Sequence, residues 1–258
     1  MKLVLLAAAL PLCAQTGVHI DNAQIETRTA QPLEPAFRSI LQAQSDPAWI
    51  GYTVPMVPKE GGGCHGTAVF LEGPSRMAVL FRIERRQVDR IRIATEDCPI
   101  DGGGLRFYLL TGVIPSESTS LLSGLLGDAS GRIRDQALSA IARTNDPSAV
   151  PVLLRAAQQD KSSRVRGQAL TWLAQRAARQ ISEAAIREAV DKDPETEAKK
   201  KAVYALTRIP RGEGIPLLIE IARTNRNAAV RKQAMFWLGQ SKDPQAVKFF
   251  EEVLSAGR

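Results

Sequence analysis

Four segments in the second half of the chain align without gaps, and they leave room for one kind of fold. DASGRIRDQALSAI begins at Asp128, DKSSRVRGQALTWL at Asp160, DPETEAKKKAVYAL at Asp193 and NRNAAVRKQAMFWL at Asn225, with starts 32, 33 and 32 residues apart. Ile133, Val165, Ala198 and Val230 share one position, which serves as an anchor. One residue on lies Arg134, Arg166, Lys199 or Arg231; four on lies Ala137, Ala169, Ala202 or Ala234; eight on lies Ile141, Leu173, Leu206 or Leu238. Spacings of four and eight place these side chains on one face of an α-helix. Five residues before the anchor stands Asp128, Asp160, Asp193 or Asn225, residue types suited to the region where a helix begins.

A second amphipathic helix is predicted between the segments, as in residues 148–158, 214–223 and 245–254. Asp146-Pro147 and Asp243-Pro244 open two of these, with proline where a first helical turn tolerates it. The unit is a helix–turn–helix with a period near 32 residues. Neither helix of a pair can bury its apolar face alone, so stacked neighbours must make the core. The predicted fold is α+β overall: a right-handed solenoid of helical hairpins over residues 116–258, about four pairs plus a final helix, after a small β-rich module over residues 15–115.

The recurrent Asp, the Val-Arg pair, and the Ala and Leu that follow resemble the HEAT repeat family, in the short bacterial form also seen in phycobilin lyases. The third copy departs from the pattern with Ala198-Lys199, and residues 176–181 before it are irregular. The resemblance implies a binding or scaffold solenoid; a lyase-like enzyme subunit, with activity in or assisted by the N-terminal module, is the alternative. HEAT-like hydroxylases need His-Glu pairs in their repeats, but the two histidines, His19 and His65, both precede the repeats. No GxSxG or HExxH pattern occurs either. No enzymatic activity and no cofactor are therefore expected.

The Arg/Lys position has two readings. Its cations could form a ladder that grips an acidic partner. Alternatively their stems pack between repeats while their heads meet the recurrent Asp, which recurrence at a repeat-defining position favours. Trp172 and Trp237, seven residues past the anchor, return to the anchor face and read as core. Positions two, six and ten past the anchor point away from it. There copy three carries Lys200, Tyr204 and Arg208, and copy four carries Lys232, Phe236 and Gln240. Aromatic side chains among cations suit a protein partner, with an acidic one as an option. Lys200, Tyr204, Arg208, Lys232 and Phe236 form the candidate partner-binding stripe.

The charge distribution agrees with two units. Residues 1–115 hold 11 basic and 11 acidic residues, whereas residues 116–258 hold 23 and 16, so the net +7 belongs to the repeats. A basic solenoid could meet nucleic acid, but the N-terminus argues otherwise. Lys2 precedes the apolar run LVLLAAALPL, and Cys13-Ala14 gives a small residue at the cut, the pattern of a secretory leader over residues 1–14. That run is too short to span a bilayer. The expected setting is periplasmic or extracellular, with no nucleic-acid partner.

Export changes the reading of the cysteines. Loss of Cys13 leaves Cys64 and Cys98, most simply a disulfide. It would close a loop of about 35 residues, contributing roughly 3–4 kcal/mol by chain entropy. A metal site from Cys64, His65, Cys98 and Asp97 or Asp101 fits no standard zinc spacing. Glu96, Asp97 and Asp101 lack a calcium-loop template, so no metal is expected. In the same module a helix is predicted over 35–44 and strands over 49–57, 67–71, 77–83, 88–94 and 105–110, forming a small antiparallel sheet. Gly61-Gly62-Gly63 and Gly102-Gly103-Gly104 are read as its turns.

Overall fold

The computed structural model describes residues 18–57, 75–176 and 179–255. Among the described residues the N-terminal module is a five-stranded sheet of β1 (Ile20–Thr29), β2 (Ala48–Pro55), β3 (Arg76–Glu84), β4 (Gln87–Thr95) and β5 (Ile100–Thr111). Helix α1 (Leu33–Ala43) joins β1 to β2. The strand order is β1-β5-β2-β3-β4. The sheet is mixed, not antiparallel as expected: β1 and β2 both run parallel to β5, and only β2, β3 and β4 alternate. The expectation failed on two counts: β2 and β5, far apart in the chain, pair in parallel, and β1 was not foreseen. Its sequence IDNAQIETRT is mostly exposed and carries no apolar alternation.

Gly102, Gly103 and Gly104 are not a turn either. They lie inside β5, opposite the point where the β1 register shifts between Asp21 and Ala23. The chains approach closely there: a Cβ on Gly102 would sit 2.5 Å from the Ala23 Cβ. Gly103 and Gly104 adopt φ of +66° and +73°, which side chains other than glycine rarely adopt. The predicted strand over 67–71, Gly61–Gly63, Cys64, His65 and the leader over 1–14 lie outside the described residues.

Among the described residues nine α-helices follow: α2 (Pro115–Gly124), α3 (Gly131–Arg143), α4 (Ala149–Gln159), α5 (Ser163–Arg176), α6 (Arg179–Lys192), α7 (Thr196–Leu206), α8 (Ile215–Thr224), α9 (Ala228–Gln240) and α10 (Pro244–Ser255). The four anchor segments are α3, α5, α7 and α9, and these pack side by side. Of its two neighbours in the chain, each packs more closely on the helix before it, α3 on α2, α5 on α4, α7 on α6 and α9 on α8, and α10 follows the last of these pairs. Val165, Ala169, Leu173, Ala202, Leu206, Val230, Ala234 and Leu238 are all buried in one continuous core.

One face of the sheet shares a core with the start of the stack. Phe37 and Ile40 of α1, Tyr52, Phe81 and Ile83 of the sheet, Leu121 and Leu122 of α2, and Ile133 and Ile141 of α3 are buried together. The rings of Phe37 and Phe81 meet edge-on at 4.9 Å, and Tyr52 lies 5.8 Å from Phe81. The Tyr52 hydroxyl is 2.9 Å from Ser118 Oγ, a buried contact between β2 and α2, and burial pushes the Tyr52 phenol well above its usual range. Past β2, the Val57 N–H donates to Arg143 O at 2.8 Å and the Asn145 N–H to Pro55 O at 2.9 Å. The outer edge of β4 is occupied too: Gln136 Oε1 accepts from the Ile91 N–H at 2.9 Å, and Arg132 donates to Asp89 O at 2.9 Å. The first repeat therefore rests against the sheet, which covers apolar surface that a terminal repeat would otherwise expose.

The conserved spacing of Asp and Arg within the chain has a structural cause. Asp128, Asp160, Asp193 and Asn225 each accept the backbone N–H two residues on, at 2.7, 2.8, 2.9 and 2.9 Å, closing the turn before a helix. Arg134 holds the Asp128 carbonyl at 2.9 Å and reaches across to the Asp160 carboxylate at 3.0 and 3.3 Å. Arg166 repeats this, with Asp160 O at 2.8 Å and Asp193 at 2.6 and 2.8 Å. These guanidinium groups are buried, with Arg134 only 3% exposed. The ladder is thus internal masonry between neighbouring repeats and not a partner-binding surface. It stops after two rungs. Lys199 turns to the Asp191 carbonyl at 2.8 Å, and the next position is Asn225, which carries no charge.

Candidate functional site

The stripe proposed from the sequence lies across α7 and α9. Both helices are anchored by the apolar face described above, so residues two and six past the anchor turn outward. Tyr204 is half-buried on α7, and Phe236 is 53% exposed on α9. Trp237 stands between them, its ring 5.1 Å from Tyr204 and 4.9 Å from Phe236. The three rings form one row over two neighbouring repeats. Met235 adds to the exposed apolar surface of α9.

The cations of the stripe differ from one another. Lys200, half-buried, donates to Glu197 at 2.8 Å within its own helix. Lys232 on α9 and Arg208, in the turn after α7, are exposed and have no acidic partner among the described residues. The structure therefore brings Tyr204 and Phe236 together through Trp237, leaves Lys232 and Arg208 uncommitted, and ties Lys200 to a neighbour.

Trp237 is the residue that the sequence pattern undervalued. Its position predicts core, and its ring does pack against the core while remaining half-buried. A tryptophan is too large to vanish beneath one helix layer, so the anchor face and the outward face share it. Trp172, the equivalent residue in copy two, is also half-buried, with the Arg143 guanidinium 5.1 Å over its ring. The indole nitrogens of both tryptophans are buried without an acceptor among the described residues.

Two of the acids considered for calcium, Asp101 and Glu96, serve the sheet. The Asp101 carboxylate accepts from the Gly103 N–H at 2.8 Å and from Asn22 Nδ2 at 3.0 Å, and these bonds hold its pKa below the usual range. Glu96 lies 3.6 Å from Arg76. Among the described residues no cluster of three or more His, Cys, Asp or Glu could hold a metal ion. Cys98 sits between β4 and β5, its sulfur 3.1 Å from Thr95 Oγ1. No helix among the described residues is long and apolar enough to cross a membrane.

Stacked helix pairs whose second helices line up and carry an Asp–Arg rung define an α-solenoid repeat protein. The sequence profile for HEAT repeats matches residues 118–187 and 183–257, more than half of the chain, and the chain belongs to the HEAT repeat family. A search of curated proteins finds no match. Among solved structures, human deoxyhypusine hydroxylase in complex with glycerol is similar at 18% identity and a TM-score of 0.38, over 52% of this chain and 43% of that one. The YibA protein of Escherichia coli is similar at 24% identity and a TM-score of 0.38, over 54% of each chain. The matched region spans about half the length of either neighbour.

Proposed function

We propose that this chain is an exported, non-enzymatic binding protein that holds a protein partner on the outward face of α7 and α9. The observation that carries this reading is the aromatic row Tyr204–Trp237–Phe236, lying open on a solenoid and flanked by two uncommitted cations, Arg208 and Lys232. Exposed aromatic side chains beside arginine are the residue types that dominate protein interfaces. HEAT-type stacks present such rows as extended surfaces. The positive charge of the repeats favours a partner with acidic patches and accelerates its approach.

The test is capture of envelope proteins by crosslinking, followed by pull-down with a Lys200→Glu, Arg208→Glu, Lys232→Glu variant. Recovery of the crosslinked partner is expected to fall by about tenfold or more, with the helical circular dichroism unchanged. Unchanged recovery would remove this face from consideration.

Export and the Cys64–Cys98 bridge belong to the same proposal, supported by the apolar run after Lys2 and by the two cysteines that remain after the leader. Intact mass of the protein purified from its native compartment is expected to begin at Gln15 and to rise on reduction by the mass of two hydrogens. A chain beginning at Met1, or a mass that reduction leaves unchanged, overturns the respective part.

A further inference from the structure

Helix α7 is shorter than its neighbours in the stack, and the shortfall leaves a pocket. It spans 11 residues, against 13 in α3, 14 in α5 and 13 in α9. Its end follows from the sequence. Ile209 precedes Pro210, which disfavours helical geometry at Ile209. The chain tightens through bonds from the Thr207, Arg208 and Ile209 N–H groups to the carbonyls three residues back, at 2.9, 3.0 and 3.3 Å. It then turns sharply into α8. A Cβ on Gly214 would lie 2.2 Å from the Leu206 carbonyl oxygen, so only glycine permits this approach.

Beside this early end of α7, against the C-terminal end of α9, there is a cavity of about 460 Å³. Its apolar wall comes from Leu206, Ile209, Ile215, Leu218 and the rings of Tyr204 and Trp237. Thr207, Gln240 and Ser241 add polar groups, and Arg208 is the one charged residue among those that line it. That volume lies within the range of ligand clefts, about 300–1,000 Å³.

Building on the proposed docking face, we propose that this pocket receives an apolar side chain of an extended acidic peptide segment, with Arg208 meeting a carboxylate beside it. Three observations select that occupant. The walls are aliphatic and aromatic, which calls for an apolar group. Among the described residues the one charge on the lining is Arg208, which has no acidic partner there, and this calls for an anion next to that group. The apolar surface continues beyond the rim: Trp237 lines the pocket, Phe236 touches Trp237 at 4.9 Å, and Lys232 stands one turn away on the same helix. A small molecule would end at the rim, whereas a chain can run on over Phe236 towards Lys232.

The test uses fluorescence polarisation of a fluorescein-labelled peptide with two central apolar residues, Leu-Phe, flanked on each side by Asp and Glu, against the intact protein. Two control peptides replace the acids by Lys, or the Leu-Phe by Ala-Ala. The acidic apolar peptide is expected to bind at least about tenfold more tightly than either control. Gln240→Trp, which puts a ring at the mouth of the pocket from an exposed position, and Arg208→Glu are each expected to weaken it by about tenfold. No detectable binding, equal binding of the three peptides, or equal binding by Gln240→Trp and the unaltered protein overturns the pocket assignment. So does binding of anionic phosphatidylglycerol vesicles that survives both substitutions while the peptide fails. The broader reading fails separately: it falls if partner capture survives the triple charge reversal, whatever the peptide does. It stands if capture is lost in that variant while the peptide does not bind.

Discussion

Replacing Arg166 with alanine lowers the unfolding free energy by about 3–5 kcal/mol, the range for removing one partner of a buried ion pair. The reason is burial, not the number of hydrogen bonds. Arg166 meets Asp193 at 2.6 and 2.8 Å and Glu195 at 3.0 Å. Its removal strands the Asp193 carboxylate, only 6% exposed, between two repeats. Arg187 supplies the control. It grips Glu220 by two bonds of 2.7 and 2.8 Å, but both side chains are about half exposed. Arg187→Ala should therefore change stability by no more than about 1 kcal/mol. Guanidinium unfolding followed by circular dichroism separates the two cases, and equal effects would refute the role of burial.

The same comparison has a predictable pH dependence. Burial pushes the Asp193 carboxyl up, but the Arg166 bonds, the Glu195 N–H and the nearby positive charge outweigh it and hold the group below its usual range. A carboxyl depressed by folding contributes stability that is complete above the unfolded value, about pH 4, and is lost as pH falls through the folded one. The gap between Arg166→Ala and the unaltered protein should accordingly be constant near neutrality and narrow below about pH 4.

Phe81→Ala is expected to cost about 3–5 kcal/mol, the range for deleting a fully buried aromatic ring. Phe81 is 0% exposed and touches both Phe37 of α1 and Tyr52 of β2. The location of the damage is more informative than its size. Ile133 and Ile141 of α3 share this core with the sheet. Amide exchange should quicken in α3 as well as in β2 and β3, while α9, which belongs to the other core, keeps its protection. If exchange quickens only within the sheet, the sheet and the first repeat are not one cooperative unit.

How far the sequence disclosed this architecture depends on how far apart the interacting residues lie. The solenoid was legible because each rung joins neighbouring repeats, as Arg134 and Asp160 do, and the same chemistry recurs. The strand β3 was legible from its local alternation, Met77, Val79, Phe81 and Ile83. Strand β1 was not, because its order comes from β5, where Ile20 lies opposite Ile100, and no pattern within IDNAQIETRT announces it. The inclusion of Gly102–Gly104 in a strand was lost with it, and the parallel pairing of β2 with β5 joins segments too far apart in the chain to leave a local pattern. At the candidate site the outward positions of Tyr204 and Phe236 followed from helical pitch. The pocket did not, since it arises from the early end of α7 at Ile209-Pro210, a departure from the repeat and not an instance of it.

The parallel pairing of β1 with β5 also sets a schedule for synthesis. Ile20 leaves the ribosome long before Ile100, its partner in the finished sheet. At about 5–20 residues per second that interval lasts roughly 4–16 s, far longer than the microseconds in which a helix forms. During this time β1 has both edges open. Its exposed positions are taken up by Asp21, Glu26 and Arg28, with Ile25 the one large apolar residue turned outward. Charges on a strand that must wait discourage premature pairing with another nascent chain. The polarity that hid β1 from a pattern search thus protects it while its partner is still being made.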